Sequence, residues 1–130
     1  MFKKSILIDT NIIVDFLRGY PKSRNIFEKI EQNKIEASFS TITEAEIFSG
    51  KSCDSLEEQH KIDALLNLMK RLQVDKKTAR KAGEIKRKYN TSIPDALIAA
   101  TAISNNIKSI ATKNKKHFSN IKEIIIEEPY

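Results

Sequence analysis

One cysteine, no tryptophan, two histidines, three glycines and three prolines are all that this 130-residue chain holds of the amino acids that most often signal special chemistry or a special backbone. Each shortage excludes something. The lone Cys53 leaves no internal disulfide and no cysteine-based zinc cluster, and no base beside it in sequence would make it a nucleophile. His60 falls on the exposed side of a predicted helix, and its distance from His117 fits no zinc-ligand pattern. With so little glycine and proline, no low-complexity stretch and no repeat, no linker is visible, and a single domain over 1–130 is expected. There is no glycine-rich phosphate loop, nucleophile elbow or Walker pattern. No apolar run is long enough to span a bilayer. Met1-Phe2-Lys3-Lys4 begins like a secretion signal, but the apolar run behind it stops at Asp9, so a cytoplasmic protein is expected.

What the chain has in quantity is lysine, 18 residues, and isoleucine, 20 residues. Apolar content of 40% and charged content of 31% are ordinary for a globular protein, and the length suffices to bury a core without staples. The net charge is +6, with Lys and Arg gathered at 70–71, 76–88 and 113–116. That pattern fits a surface for a polyanion, and equally well a compositional habit.

Periodicity predicts alternating elements. Residues 4–8 read as a strand, and 10–18 as a helix closed by Gly19. Pro21 suits the first turn of a second helix that carries Ile26, Phe27 and Ile30. A short strand at 35–39 leads to a helix capped by Ser40 or Thr41 and running to about Ser49. Ser55 and Glu58 form a capping-box pattern ahead of a long amphipathic helix over 54–70, and Asp75 can cap another that ends at Tyr89. Residues 94–105 form an apolar helix expected in the interior, and 107–111 and 121–126 read as strands. The expected fold is an α/β sandwich around a mostly parallel sheet of four to five strands.

Several polar residues then share one topology. Asp9 ends the first strand, Glu44 and Glu46 lie early in the helix after the second, and Asp95 opens the buried helix. Thr112 and Asn114 follow the strand at 107–111. In a parallel sheet these positions lie on one edge, where ligands bind. Each has a plain alternative: Asp9 as a helix cap, Asp95 as a dipole partner, Glu44 and Glu46 as solvated residues, Asn114 as a turn residue. Clustered carboxylates repel unless a cation sits between them, and hard oxygen ligands suit Mg²⁺ or Mn²⁺. Residues two apart on a helix point about 200° apart, so Glu44 and Glu46 do not serve together easily. Taking Ile42, Ala45 and Ser49 as the inner face favours Glu46.

At these residues the chain resembles the PIN-domain family, and within it the VapC-like toxin ribonucleases of type II toxin–antitoxin pairs. The matching stretches are ILIDTNIIVDFLRG at 6–19, STITEAEIFSG at 40–50 and IPDALIAATAISNNIKSIATKNKKHF at 93–118. The resemblance implies a three-layer PIN-like sandwich and a metal-dependent endoribonuclease that inhibits translation. The motif's acidic positions fall on Asp9, Glu46 and Asp95, the ligands of one Mg²⁺ or Mn²⁺. Its fourth position, acidic in many members and Asn in others, is Asn114, which leaves a second metal open. Thr10, Asn11 and Thr112 match polar positions that support the site. Lys113, Lys115 and Lys116 flank it and can hold neighbouring phosphates. The family further implies an RNA substrate of the tRNA or rRNA class, a homodimer, and a cognate antitoxin protein. Two rivals remain: a catalytically silent PIN-type nucleic-acid-binding module, and a Mg²⁺-dependent phospho-acceptor signalling domain. The second requires strict alternation of strand and helix, which consecutive helices at 54–70 and 75–89 would break.

Overall fold

A computed structural model describes residues 3–130. Five strands form one sheet: β1 Lys4–Ile8, β2 Ile35–Ser40, β3 Lys70–Leu72, β4 Ser109–Ala111 and β5 Ile125–Glu127. Their order is β3-β2-β1-β4-β5, and every neighbouring pair is parallel. Parallel neighbours need long crossovers, and helices supply them. These are α1 Thr10–Leu17, α2 Arg24–Glu31, α3 Thr41–Phe48, α4 Leu56–Leu66, α5 Lys76–Tyr89, α6 Ile93–Ser104 and the single turn α7 Lys115–Phe118. The chain steps outward from β1 to β3, then returns through α5 and α6 to lay β4 on the other side of β1. The reversal leaves a crevice at the carboxyl ends of β1 and β4, the place where open α/β sheets bind ligands.

The sheet has a core on each face, because side chains alternate along a strand. Ile6 and Ile8 of β1 join Ile12, Ile13, Phe27, Ile62 and Leu66 on one side. Leu7, between them, joins Ile85, Ala99, Ile110 and Phe118 on the other. The result is the expected three-layer sandwich, with a sheet that is wholly parallel. Burying Leu7 and Ile8 completely stabilises the fold by about 1.5–3 kcal/mol each. Ser40 caps α3, accepting from the Ile42 N–H at 3.3 Å, and Ser55 caps α4 in the same way through Glu58. Asp75 caps α5, and Asn90 ends it in a left-handed conformation with φ 53°. Among the described residues no helix is long and apolar enough to cross a membrane.

The elements depart from expectation where apolar pattern and geometry diverge. The helix over 54–70 stops at Leu66, because Asn67 caps its end and Lys70–Leu72 pairs with Ser38–Ser40. Leu68 and Met69 continue the helical spacing past that point, which hid the edge strand β3. Strand therefore does separate the two helices, so consecutive helices no longer exclude a phospho-acceptor domain. Strand order excludes it instead, since 3-2-1-4-5 is not the 2-1-3-4-5 order of that class. The last strand begins at Ile125, four residues later than periodicity placed it, because Ile121 and Ile124 bury themselves from a turn. Pro21 opens a 3₁₀ turn over Pro21–Ser23 before α2. The inner face of α3 is Thr43 and Ile47, whereas Ala45 and Ser49 are exposed.

Candidate active site

Asp9 follows the last residue of β1 and is the N-cap of α1, so its cap role and its place at the sheet edge coincide. Pairing of β1 with β4 continues into its backbone, whose N–H donates to the Ala111 carbonyl at 2.9 Å. The side chain is 4% exposed. Oδ1 accepts from the Thr10 N–H at 2.8 Å, and Oδ2 accepts from the Thr112 hydroxyl at 2.6 Å and the Asn11 amide at 3.1 Å. Burial raises the Asp9 pKa above the ordinary carboxylate range. The bonds from Thr112 and Thr10 pull it back in part, while the charges of Asp95 and Glu46 push it further up.

Glu46 extends from α3 one turn beyond Thr43 and accepts from the Thr10 hydroxyl at 2.7 Å. Thr43 meets the same hydroxyl at 3.0 Å, which explains why Glu46 reaches the site although the expected inner face was wrong: it stacks on Thr43, not on Ile42. Glu44 points elsewhere and pairs with Arg71. Asp95 lies in the first turn of α6, where the Ser92 hydroxyl donates to Oδ2 at 2.8 Å and its own N–H returns to Ser92 at 3.2 Å. The same Oδ2 faces Nδ1 of His117 at 3.1 Å. Asn114 precedes α7 and donates its backbone N–H to the Thr112 hydroxyl at 2.9 Å.

Asp9, Glu46, Asp95 and Asn114 line one cavity of about 450 Å³, together with Thr10, Asn11 and His117. Among the described residues, no three histidine, cysteine, aspartate or glutamate side chains stand close enough to form a finished metal cage. Asp95 is engaged by Ser92 and His117, and Glu46 by Thr10. The donor set nonetheless fits a hard divalent cation: three carboxylates and an amide share one cavity, and a cation would offset the burial that chiefly raises Asp9 as well as the smaller repulsion from Asp95 and Glu46. Asp9 already accepts three hydrogen bonds, and a carboxylate offers about four acceptor positions, so one remains.

The lysines separate. Lys113 binds Asp15 at 2.6 Å and lies over the rings of Tyr20 and Tyr130, so it is committed to the surface beside α1. Burial raises the Asp15 carboxyl, but bonds from Lys113 and the Tyr130 hydroxyl outweigh it and hold the group below the usual carboxylate range. The Tyr130 hydroxyl, buried against that carboxylate, is pushed far up and stays protonated. Lys115 is exposed, and Lys116 lines a neighbouring groove. Sequence reasoning gave His117 no role. The available signal was its place three residues after Asn114, ahead of the buried anchor Phe118.

This is an α/β domain whose acidic cavity sits at the crevice of a parallel sheet. The PIN domain pattern matches residues 6–124, and the chain belongs to the PIN-domain family. Ribonuclease VapC19 of Mycobacterium tuberculosis is 32% identical over 117 residues, covering 86% of this chain and 90% of that protein. Ribonuclease VapC1 of Methanocaldococcus jannaschii is 32% identical over 130 residues, covering 93% and 84%. Among solved structures, VapBC2 from Rickettsia felis bound to a DNA fragment from its promoter superposes with a TM-score of 0.78 at 27% identity, over 95% of this chain and 97% of that one. DNA-bound VapBC from Salmonella typhimurium gives a TM-score of 0.82 over all of both chains at 24% identity, a likeness of fold.

Proposed function

We propose that this protein is a Mg²⁺- or Mn²⁺-dependent endoribonuclease, the toxin of a toxin–antitoxin pair that inhibits translation. The observation that carries this reading is the convergence of Asp9, Glu46, Asp95 and Asn114 on one cavity at the β1/β4 crevice. The ribonuclease names of the sequence relatives support an RNA substrate, and its tRNA or rRNA class is the family expectation carried over. The VapBC complexes among the structural neighbours support an antitoxin partner, and a homodimer is the family expectation carried over.

Asp9, Glu46 and Asp95 would hold the cation, with Asn114 as a neutral fourth oxygen. When bound, such an ion acidifies a coordinated water and offsets charge at the reacting phosphate. The chain's own contribution is to fix its ligands. Thr112, Asn11 and the Thr10 N–H lock Asp9 in one orientation. The Thr10 hydroxyl ties Glu46 to the start of α1, and Ser92 and His117 hold Oδ2 of Asp95. Lys116, and Lys115 next to it, supply positive charge for the phosphates on either side, a term that weakens with salt.

A catalytically silent PIN-type nucleic-acid-binding module is the second reading, and the engagement of Asp95 by His117 and Ser92 is the observation in its favour. One experiment separates the two. The wild type should cut RNA only with Mg²⁺ or Mn²⁺ and arrest growth when expressed, and Asp9→Asn and Asp95→Asn should do neither. Equal cleavage in EDTA, or by either variant, would rule the metal-dependent reading out, and no cleavage by the wild type with either ion would leave the silent module.

A further inference from the structure

Next to the acidic cavity is a second concavity of about 370 Å³. The two adjoin at the Asp95–His117 pair and share Ser92 as well. The remaining wall brings together Tyr89, Asn90, Lys116 and Asn120. These come from the end of α5, the turn that follows it, α7, and the loop after α7.

The wall is held in place without any ligand. Asn90 reverses the chain with φ 53°, and the Lys86 ammonium donates to the Thr91 carbonyl at 3.2 Å. The Thr91 hydroxyl donates to the His117 carbonyl at 3.3 Å, which ties the α5–α6 turn to α7. Tyr89 is half-buried. Its hydroxyl donates to Glu123 at 3.3 Å, and the Lys88 ammonium lies 5.3 Å from the ring centroid. Phe118, fully buried, anchors α7 beneath.

The chemistry of the lining is specific. Beyond the Asp95–His117 edge shared with the acidic cavity, it offers the Tyr89 ring, two primary amides that each present a donor beside an acceptor, and one ammonium. Exposed Lys86, Arg87 and Lys88 add positive charge at the end of α5. Unpaired RNA bases are recognised by stacking on aromatic rings and by hydrogen bonds to their edges, with cations on the phosphates. The volume lies at the small end of ligand pockets, enough for one nucleotide. We propose that this groove is a nucleotide subsite, taking one unpaired RNA residue next to the phosphate that lies over the carboxylates. Base identity is then read by Asn90 and Asn120 and its stacking by Tyr89. The placement of the scissile phosphate rests on the nuclease reading above; binding of the nucleotide does not. An acidic protein segment would meet the lysines but leave the ring and the amides unmatched.

The test uses the full chain in EDTA, so that no cleavage occurs. The four nucleoside 5′-monophosphates are titrated while backbone and side-chain amides are followed by NMR, with inorganic phosphate as control. At least one nucleotide should give saturable shifts at Asn90 and Asn120 that phosphate does not. Binding of a fluorescent single-stranded RNA should weaken about threefold to tenfold in Asn120→Ala. Tyr89→Leu should weaken it roughly tenfold and Tyr89→Phe should restore it. Asn120 is exposed, so its variant stays informative if Tyr89→Leu fails to fold. Shifts with phosphate alone, or wild-type RNA affinity in both variants, would overturn the proposal. Wild-type RNA affinity together with lost binding to a co-expressed antitoxin would assign the groove to a protein and overturn it equally. If the wild type cuts no RNA with Mn²⁺ yet binds nucleotides at Asn120, the nuclease reading fails and the subsite stands. Cleavage without nucleotide shifts would overturn the subsite and leave the nuclease reading intact.

Discussion

Replacing Thr112 with valine should lower both stability and metal affinity, because one hydroxyl serves both. Thr112 is fully buried and donates at 2.6 Å to Oδ2 of Asp9, itself 4% exposed. Valine keeps the shape and removes the donor, leaving a buried carboxylate with one partner fewer. A hydrogen bond to a charged group is worth about 1.5–3 kcal/mol. For 130 residues, an unfolding entropy of about 2.1 cal/mol/K per residue converts that loss to a melting point roughly 6–11 °C lower. The deficit should depend on pH with a definite sign. Asp9 in the fold holds its proton more tightly than in the unfolded chain, so its ionisation costs stability as pH rises from the unfolded value through the folded one. Losing Thr112, which opposes that rise, enlarges the cost, so the gap between variant and wild type should widen from acid toward neutral pH. Partners that orient metal ligands are worth about 10- to 100-fold in affinity, so Mn²⁺ binding should weaken by that order. Thermal melts in EDTA at several pH values and calorimetric Mn²⁺ titrations measure the two effects. A melting point within about 2 °C of wild type at neutral pH, or unchanged Mn²⁺ affinity, would refute the reasoning.

Leu7→Ala opens a cavity at the centre of the sheet and should cost about 2–5 kcal/mol, read from the urea midpoint; a loss under about 1 kcal/mol would contradict the packing. His117→Ala removes the imidazole whose Nδ1 lies 3.1 Å from Oδ2 of Asp95 and should weaken Mn²⁺ binding about tenfold while leaving the melting point in EDTA nearly unchanged; His117→Asn, which keeps a polar group at that position, should recover part of it. Tyr130→Phe deletes a bond to Asp15, whose carboxyl is held low. The stability from that carboxyl is present above its unfolded pKa and lost as pH falls through the folded one, so the variant's deficit, under about 1 kcal/mol, should vanish in acid. A deficit that persists at low pH would mean that the ring's packing, not the charge, is what changed.

The fold was legible wherever one residue's chemistry dictated the backbone. Ser55, Asp75 and Asp9 each start a helix as their cap chemistry requires. The apolar triplet at the end of β1 placed the central strand because a strand buried on both faces has no polar positions to alternate. What stayed hidden was set by partners distant in sequence. Lys70–Leu72 is a strand because β2 offers it an open edge, and its own residues carry no strand signal. At the site, Asp9, Glu46, Asp95 and Asn114 could be grouped by topology alone. The commitment of Lys113 to Asp15 and the contact of His117 with Asp95 could not, since both depend on side-chain directions that residue order does not fix.

Asp9 and Thr112 stand 103 positions apart, and only the β1–β4 pairing makes them neighbours. A chain still being made on the ribosome therefore holds Asp9 from the outset, with Thr10 and Asn11 beside it, but lacks the Thr112 hydroxyl and the β4 edge until residues 109–112 have emerged. Glu46 and Asp95 are already synthesised by then, and His117, which faces Asp95, follows after Thr112. Fragments ending between Asp95 and residue 109 would carry all three carboxylates without the Thr112 bond to Asp9. The order of the elements thus makes completion of the Asp9 hydrogen-bond set later than the synthesis of all three carboxylates.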